Sequence, residues 1–245
     1  MDKTRIGRLL RRLAAALPVL VLLPAATPAG GLEAWPAFSA RYSVTLAGVK
    51  SAETVVSLSA DGDGRCRYRQ VTRPVGMAAL FSSDQAEQAS QLLCDERGIR
   101  PLEFLSRRPG GDADDNAHLV FDWQAGVVEN RGAGAHWRLA LPPGTQDSLS
   151  MQLALMAAVR EGRSRIEVPV AVRGRIKTYR FEQVGEERVG TPAGDFMAIK
   201  LARTDDDRDR SWFWLAPELD YLLVRFVKKK KSGLRTEMLL QSVRF

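Results

Sequence analysis

The chain has 245 residues and a formal net charge of +7. Residues 1–29 carry five basic residues and one acidic one, so +4 of that charge belongs to the N-terminal stretch and +3 remains on the rest. A remainder so near neutrality lacks the electrostatic footprint of a nucleic-acid binder, and about 216 residues suffice for one domain with a sizeable core.

The N-terminal stretch reads as an export signal. Lys3, Arg5, Arg8, Arg11 and Arg12 precede an apolar run from Leu13 to Leu23. That run has the length of a signal-peptide core and falls short of the roughly 20 residues a membrane-spanning helix needs. Thr27-Pro28-Ala29 offers a small-x-small cleavage site, and no cysteine follows the run to take a lipid anchor. The expected organisation is a signal peptide over residues 1–29 and a single β-rich domain over 30–245, released to the periplasm. In that oxidising compartment Cys66 and Cys94, each in a strand-like segment, are expected to form a disulfide; two buried free thiols are the alternative.

From Phe38 the pattern has period two. Phe38, Ala40, Tyr42, Val44 and Leu46 share one face, and Thr54, Val56 and Leu58 continue it in a second strand. Asp61-Gly62-Asp63-Gly64 signals a hairpin. In the third strand Cys66, Tyr68 and Gln70 oppose Arg65, Arg67 and Arg69. Pro74 to Phe81 reads as one or two helical turns. Ser82 to Cys94 reads as extended, although its Ala, Gln and Glu content also suits a helix. A strand follows over Ile99 to Arg107, then a hairpin from His118 to Arg131 about Gln124-Ala125-Gly126.

One helix is expected, from Ser148 to Glu161. Asp147 stands ready to accept from its first amides, Leu149, Leu153, Met156 and Ala157 form a stripe, and Gly162 supplies a left-handed stop. Strands then resume. Ile166, Val168, Val170 and Val172 alternate inward, and Pro169 on the other phase suggests an edge position or a bulge. The stretch Gly190–Phe226 reads as three strands at the centre of the sheet. A mainly β fold follows: a curved antiparallel sheet or half-open β-barrel with one packed α-helix.

The chemistry-bearing groups are sparse. His118 and His136 stand apart from other soft ligands, so no metal site and no cofactor are expected. Asp112, Asp114 and Asn116 open like a calcium loop, but Ala117 and Trp123 occupy its glycine and glutamate positions. Asp205, Asp206, Asp207 and Asp209 are interleaved with Arg203, Arg208 and Arg210, as in a self-neutralising hairpin tip. No nucleophile elbow or phosphate loop occurs, so the reading leans away from an enzyme and assigns no catalytic residue. Lys228 to Lys231 read as a solvated hairpin end, or as a contact for anionic headgroups. Trp212 and Trp214 share one face of a strand, with Phe213 and Leu215 on the other, which implies cover on both sides. Core packing is the plainer reading; an apolar ligand wall formed by Trp212, Trp214, Phe226 and Met156 is the functional one.

Five segments together resemble a known family: FSARYSVTLAGVKSAE, HLVFDWQAGVV, QDSLSMQLALMAAVREG, TPAGDFMAIKL and RSWFWLAPELDYLLVRF. The chain is similar to the bacterial exported proteins grouped as domain of unknown function 3108, although Leu223 stands where the family pattern has proline. The resemblance implies an exported β-rich domain, similar in architecture to the open β-barrels of periplasmic lipoprotein carriers. It carries no activity, so no functional residue transfers. The expected function is a non-enzymatic binding or carrier module for an apolar or amphipathic envelope ligand such as a lipid, in peripheral contact with a membrane and without nucleic acid. The alternatives are an envelope assembly protein acting through a protein partner, and a hydrolase of envelope polymers.

Overall fold

The computed structural model describes residues 36–80, 85–95, 98–109, 116–132, 136–206 and 208–245. The stretch read as an export signal, the calcium-like Asp112 and Asp114, and Asp207 lie outside the described residues.

Fourteen strands form one sheet. The first eight are β1 (Phe38–Leu46), β2 (Val49–Gly62), β3 (Arg65–Pro74), β4 (Ala86–Asp95), β5 (Gly98–Arg107), β6 (Ala117–Asp122), β7 (Val127–Asn130) and β8 (Trp137–Ala140). The other six are β9 (Arg165–Val172), β10 (Arg175–Thr191), β11 (Gly194–Arg203), β12 (Asp209–Ala216), β13 (Leu222–Lys230) and β14 (Arg235–Arg244). The spatial order is β8-β7-β6-β5-β4-β3-β2-β1-β14-β13-β12-β11-β10-β9. Every pair is antiparallel, so all odd-numbered strands point the same way.

The chain therefore winds outward from β1 to β8, crosses to the far edge, and winds back from β9 to β14. The centre of the sheet is the β1–β14 seam, where the first and last strands meet, and not the Gly190–Phe226 stretch. The sheet does not close into a barrel. Residues 141–164 span the opening between its edges. Within them, Gln146 pairs in parallel with Val170, covering the β9 edge that carries Pro169. The helix α1 (Met151–Arg160) then runs back toward the start of β9.

Local chemistry accounts for these elements. In β4, Ser90 and Leu92 are fully buried while Gln91 between them is exposed, and this period of two overrides the helical composition. Pro101 is accommodated in β5 because it faces a register shift between Gln91 and Leu92. The expected helical turns after Pro74 appear as a 3-10 turn, Gly76–Leu80. The main helix starts three residues later than its pattern suggests. Asp147 Oδ1 accepts the amides of Leu149 and Ser150, each at 2.8 Å, while Ser150 Oγ accepts the Asp147 amide at 3.0 Å. These bonds hold residues 148–150 as a turn, and α1 propagates from Met151. Gly162 (φ +76°) ends it, with its amide bonded to the Val159 carbonyl.

One face of the sheet holds the core. Register places Tyr42, Val44, Met238, Phe226, Phe213 and Leu201 on it together. Tyr68, Ser90 and Phe104 share its continuation through β3, β4 and β5. α1 adds Leu153, Leu155, Met156, Ala158 and Val159, all buried. The Cys66–Cys94 disulfide is formed, with Cα atoms 6.0 Å apart, and ties β3 to β4.

Candidate functional site

The inner face is packed through most of its depth. Tyr42, Tyr68, Leu92, Leu153, Met156, Leu223 and Leu240 are all fully buried. The Tyr42 hydroxyl reaches two strands across to donate to the Leu223 carbonyl at 2.8 Å. Burial drives its pKa far above the ordinary tyrosine value, so it remains a donor. Asp147 is also fully buried, and Ser90 Oγ donates to its Oδ1 at 3.0 Å. Burial raises the Asp147 pKa against the opposing effect of these donors. Its Oδ2 and the Tyr68 hydroxyl have no hydrogen-bond partner among the described residues.

Open space remains at the end of the sheet where the odd-numbered strands finish. A cleft of about 240 Å³ lies between the inner face of β4 to β8 and the turn joining β9 to β10. Phe104, Leu119, Ala117, Trp137 and Ala171 give it an apolar wall, and Gln88, Ser106, Asn130, Arg108 and Arg173 converge on it as polar groups. Trp137 lies over the turn: a Cβ added to Gly174 (φ +72°) would sit 3.5 Å from its ring. At the opposite end a second hollow, about 410 Å³, separates the small residues Ala154, Ala157 and Ala158 of α1 from Ile166, Val168 and the Pro143-Gly144 bend.

The residues singled out for a ligand wall are distributed elsewhere. Trp212 and Trp214 pair with Ala202 and Lys200 on the outer face, opposite to Phe213 and Phe226. Trp214 is buried there between cations, with Lys200 Nζ 5.0 Å and Arg225 Cζ 4.9 Å from its ring centre. Its indole donates to Glu187 Oε1 at 2.6 Å. Partial burial opposes the Glu187 charge, but bonds from Trp214 and Lys200 outweigh it and lower the pKa. Phe226 packs against Phe213 on the inner face, ring centres 4.9 Å apart and tilted by 52°, and Met156 is buried in α1. None of the four lines the cleft. The sequence reading passed over Trp137 because β8 is only four residues long and shows too little alternation to announce a strand.

The acidic tip is neutralised. Arg203 grips Asp205 with two bonds of 2.8 Å, Lys177 lies 3.3 Å away, and the Arg180 amide adds a third donor. Burial opposes the Asp205 charge, yet these partners hold its pKa far below the usual carboxylate range. Lys228 pairs with Asp209 at 2.9 Å. Among the described residues no three His, Cys, Asp or Glu side chains gather where they could hold a metal ion. His118 bonds to Glu103, and His136 Nδ1 lies 3.3 Å from the Asn130 carbonyl.

An open antiparallel sheet curled around one helix defines a β-barrel-like class. The chain is similar in fold to a β-barrel-like protein of domain of unknown function DUF1849 from Brucella abortus, with a TM-score of 0.52, 14% identity, and 85% of this chain and 97% of that one covered. A Bacteroides fragilis protein with a YmcC-like fold aligns with a TM-score of 0.38 at 14% identity, over 85% of this chain and 95% of that one. No curated protein matches the chain. Residues 41–239 match the family model described as Protein of unknown function (DUF3108), and the chain belongs to that family.

Proposed function

We propose that the protein is a non-catalytic binding module of the bacterial envelope, exported by its leader, and that its site is the cleft beneath Trp137. The carrying observation is the unclosed sheet. Its two edges leave an apolar pocket with converging polar groups at one end, while the second hollow, at the other end, is lined largely by small α1 residues and the core between them is packed. The ligand contact thus moves from Trp212, Trp214, Phe226 and Met156 to Trp137, Phe104, Leu119 and Ala171.

Size sets the ligand class. Pockets that enclose a drug-sized molecule run from roughly 300 Å³ upward. A cleft of about 240 Å³ suits one end of an amphiphile, with Arg108, Arg173 and Gln88 near its polar part. Native mass spectrometry of the protein with a lysophospholipid tests this. A one-to-one adduct is expected, weakened at least tenfold by Trp137→Ala and by Ala117→Phe, which fills the cleft. An adduct indifferent to both substitutions, or no adduct, overturns the reading.

The second reading, a protein partner in envelope assembly, draws on β8. It is a four-residue edge with only β7 beside it among the described residues, and such an edge can accept a strand. In-cell crosslinking from Arg138 to one stoichiometric protein favours it over the first.

A further inference from the structure

The end of the sheet where the odd-numbered strands finish carries a second feature, on the opposite side of the β1–β14 seam from β9. Large apolar side chains stand in solvent there. Leu46 is 41% exposed, Val49 60%, Met77 64% and Leu80 76%. They come from the β1–β2 turn and the 3-10 turn after β3. Backbone bonds draw these turns together: the Val75 amide bonds to the Ser51 carbonyl, and the Ala47 amide bonds to the Arg235 carbonyl.

That last bond fixes the neighbour. Arg235 opens β14, and beside it β13 ends in Lys228, Lys229 and Lys230, with Lys231 beginning the turn between the two strands. β2, β1, β14 and β13 lie side by side in that order, at about 4.8 Å per strand. The apolar turns and the lysine turn therefore stand within about 20 Å of each other on one rim.

Among the described residues, charge on the rim is one-sided. The nearby acids are engaged: Glu53 pairs with Lys50 at 2.7 Å, Asp209 with Lys228 at 2.9 Å, and Glu237 with Arg225 and Arg235 at 2.7 and 2.9 Å. Asp205 and Asp206 in the adjacent turn are held by Arg203. Lys229, Lys230 and Lys231 remain as an exposed cationic run beside the apolar residues.

We propose that this rim docks on an anionic lipid bilayer, with Met77, Leu80, Val49 and Leu46 entering the headgroup boundary and Lys229, Lys230 and Lys231 meeting the anionic headgroups. Exposed apolar side chains beside clustered lysines combine the two forces that hold a protein at such a surface: burial of apolar area and attraction to anionic lipid. The chemistry of the rim matches a bilayer better than a protein groove, because its apolar groups are scattered over two turns and its charges carry a single sign. The cleft opens at the same end, since Arg173 and Arg108 in its lining follow the finishing ends of β9 and β5. Docking would thus bring the cleft toward the lipid, although it stands independently of whether the cleft binds anything.

Flotation tests the proposal, using protein recovered from cells expressing the whole chain and vesicles of phosphatidylcholine with or without 30% phosphatidylglycerol (an arbitrary working composition of about that fraction). Binding is expected only with the anionic lipid, and weaker at high salt. The triple variant Lys229→Glu, Lys230→Glu and Lys231→Glu should weaken it by on the order of 100-fold or more. Met77→Ser with Leu80→Ser should weaken it about tenfold, at unchanged unfolding midpoint, since both residues are exposed. Equal flotation with neutral vesicles, no flotation at low salt, or indifference to both variants overturns the docking surface. Trp137→Ala should leave flotation intact, so failure of the cleft reading and failure of the rim reading are separable.

Discussion

Trp214 on β12 and Trp137 on β8 occupy opposite halves of one sheet, and their surroundings differ in kind. Trp214 is sealed on the outer face by Lys200, Arg225 and Glu187, with 4% of its surface exposed. Trp137 sits half-buried at the sheet's edge, against a turn, with open space beneath it. An aromatic residue covered by charged neighbours is committed to stability, because its polar handle and both ring faces are already engaged. One that faces open volume still has surface to offer. Bulk and aromaticity alone do not separate a structural tryptophan from a binding one; what lies over each ring does.

The sharpest way to break this comparison is to truncate each ring. Trp214→Ala should cost about 3 kcal/mol of stability, read from urea unfolding. Trp137→Ala should cost about 1 kcal/mol while weakening amphiphile binding. Equal destabilisation by the two would make Trp137 as structural as Trp214 and remove the distinction.

A smaller effect tests the polar seal on the same half of the sheet as Trp214. Asp205→Asn should cost about 2 kcal/mol at neutral pH, since it removes a carboxylate bonded to Arg203 and Lys177. Because the folded pKa is depressed, this stabilisation is complete above the ordinary carboxylate value of about 4 and is lost as pH falls below it. The substitution should therefore flatten the acid limb of an unfolding-versus-pH curve; an unchanged limb contradicts the assignment.

The smallest expected effect belongs to the helix entry and has the opposite sign. The folded pKa of Asp147 is raised, chiefly by burial. Its contribution is most favourable below about pH 4 and declines as pH rises through the window between the ordinary and the raised value. Asp147→Asn keeps an Oδ1 acceptor for the Leu149 and Ser150 amides and should hold stability level across that window. A variant with the same pH slope as the parent would show that another group titrates there.

Strands such as β1 and β3 were legible because each has one buried face, so period two survives in the sequence as Phe38-Ala40-Tyr42 or Cys66-Tyr68. The helix was legible from its stripe and its stop at Gly162, but its start was displaced by the bonds that Asp147 and Ser150 make with each other's backbone. Such reciprocal bonds depend on local geometry that a residue pattern does not carry. The cleft was not legible at all. It arises where the inner face of β4 to β8 meets the β9–β10 turn, residues far apart in the chain and brought together only by the curl of the sheet. Trp214 attracted notice for the converse reason: an apolar residue on the outer phase looks like a functional exception until the cations above it are seen.

The seam between β1 and β14 has a consequence for how the molecule is put together. Ser39 pairs with Arg244, and the Phe38 and Phe245 rings lie 6.4 Å apart, so the first and last strands abut in the middle of the sheet. Each half is a succession of hairpins between sequence neighbours, whereas the seam joins residues about as distant in sequence as the chain allows. Closing so long a loop is entropically the most demanding pairing and waits on the final strand to emerge. The order of connection is thus separable from the fold: a circular permutant that links Phe245 to Phe38 and opens the chain between Ala140 and Thr145 would trace all fourteen strands as one unbroken meander.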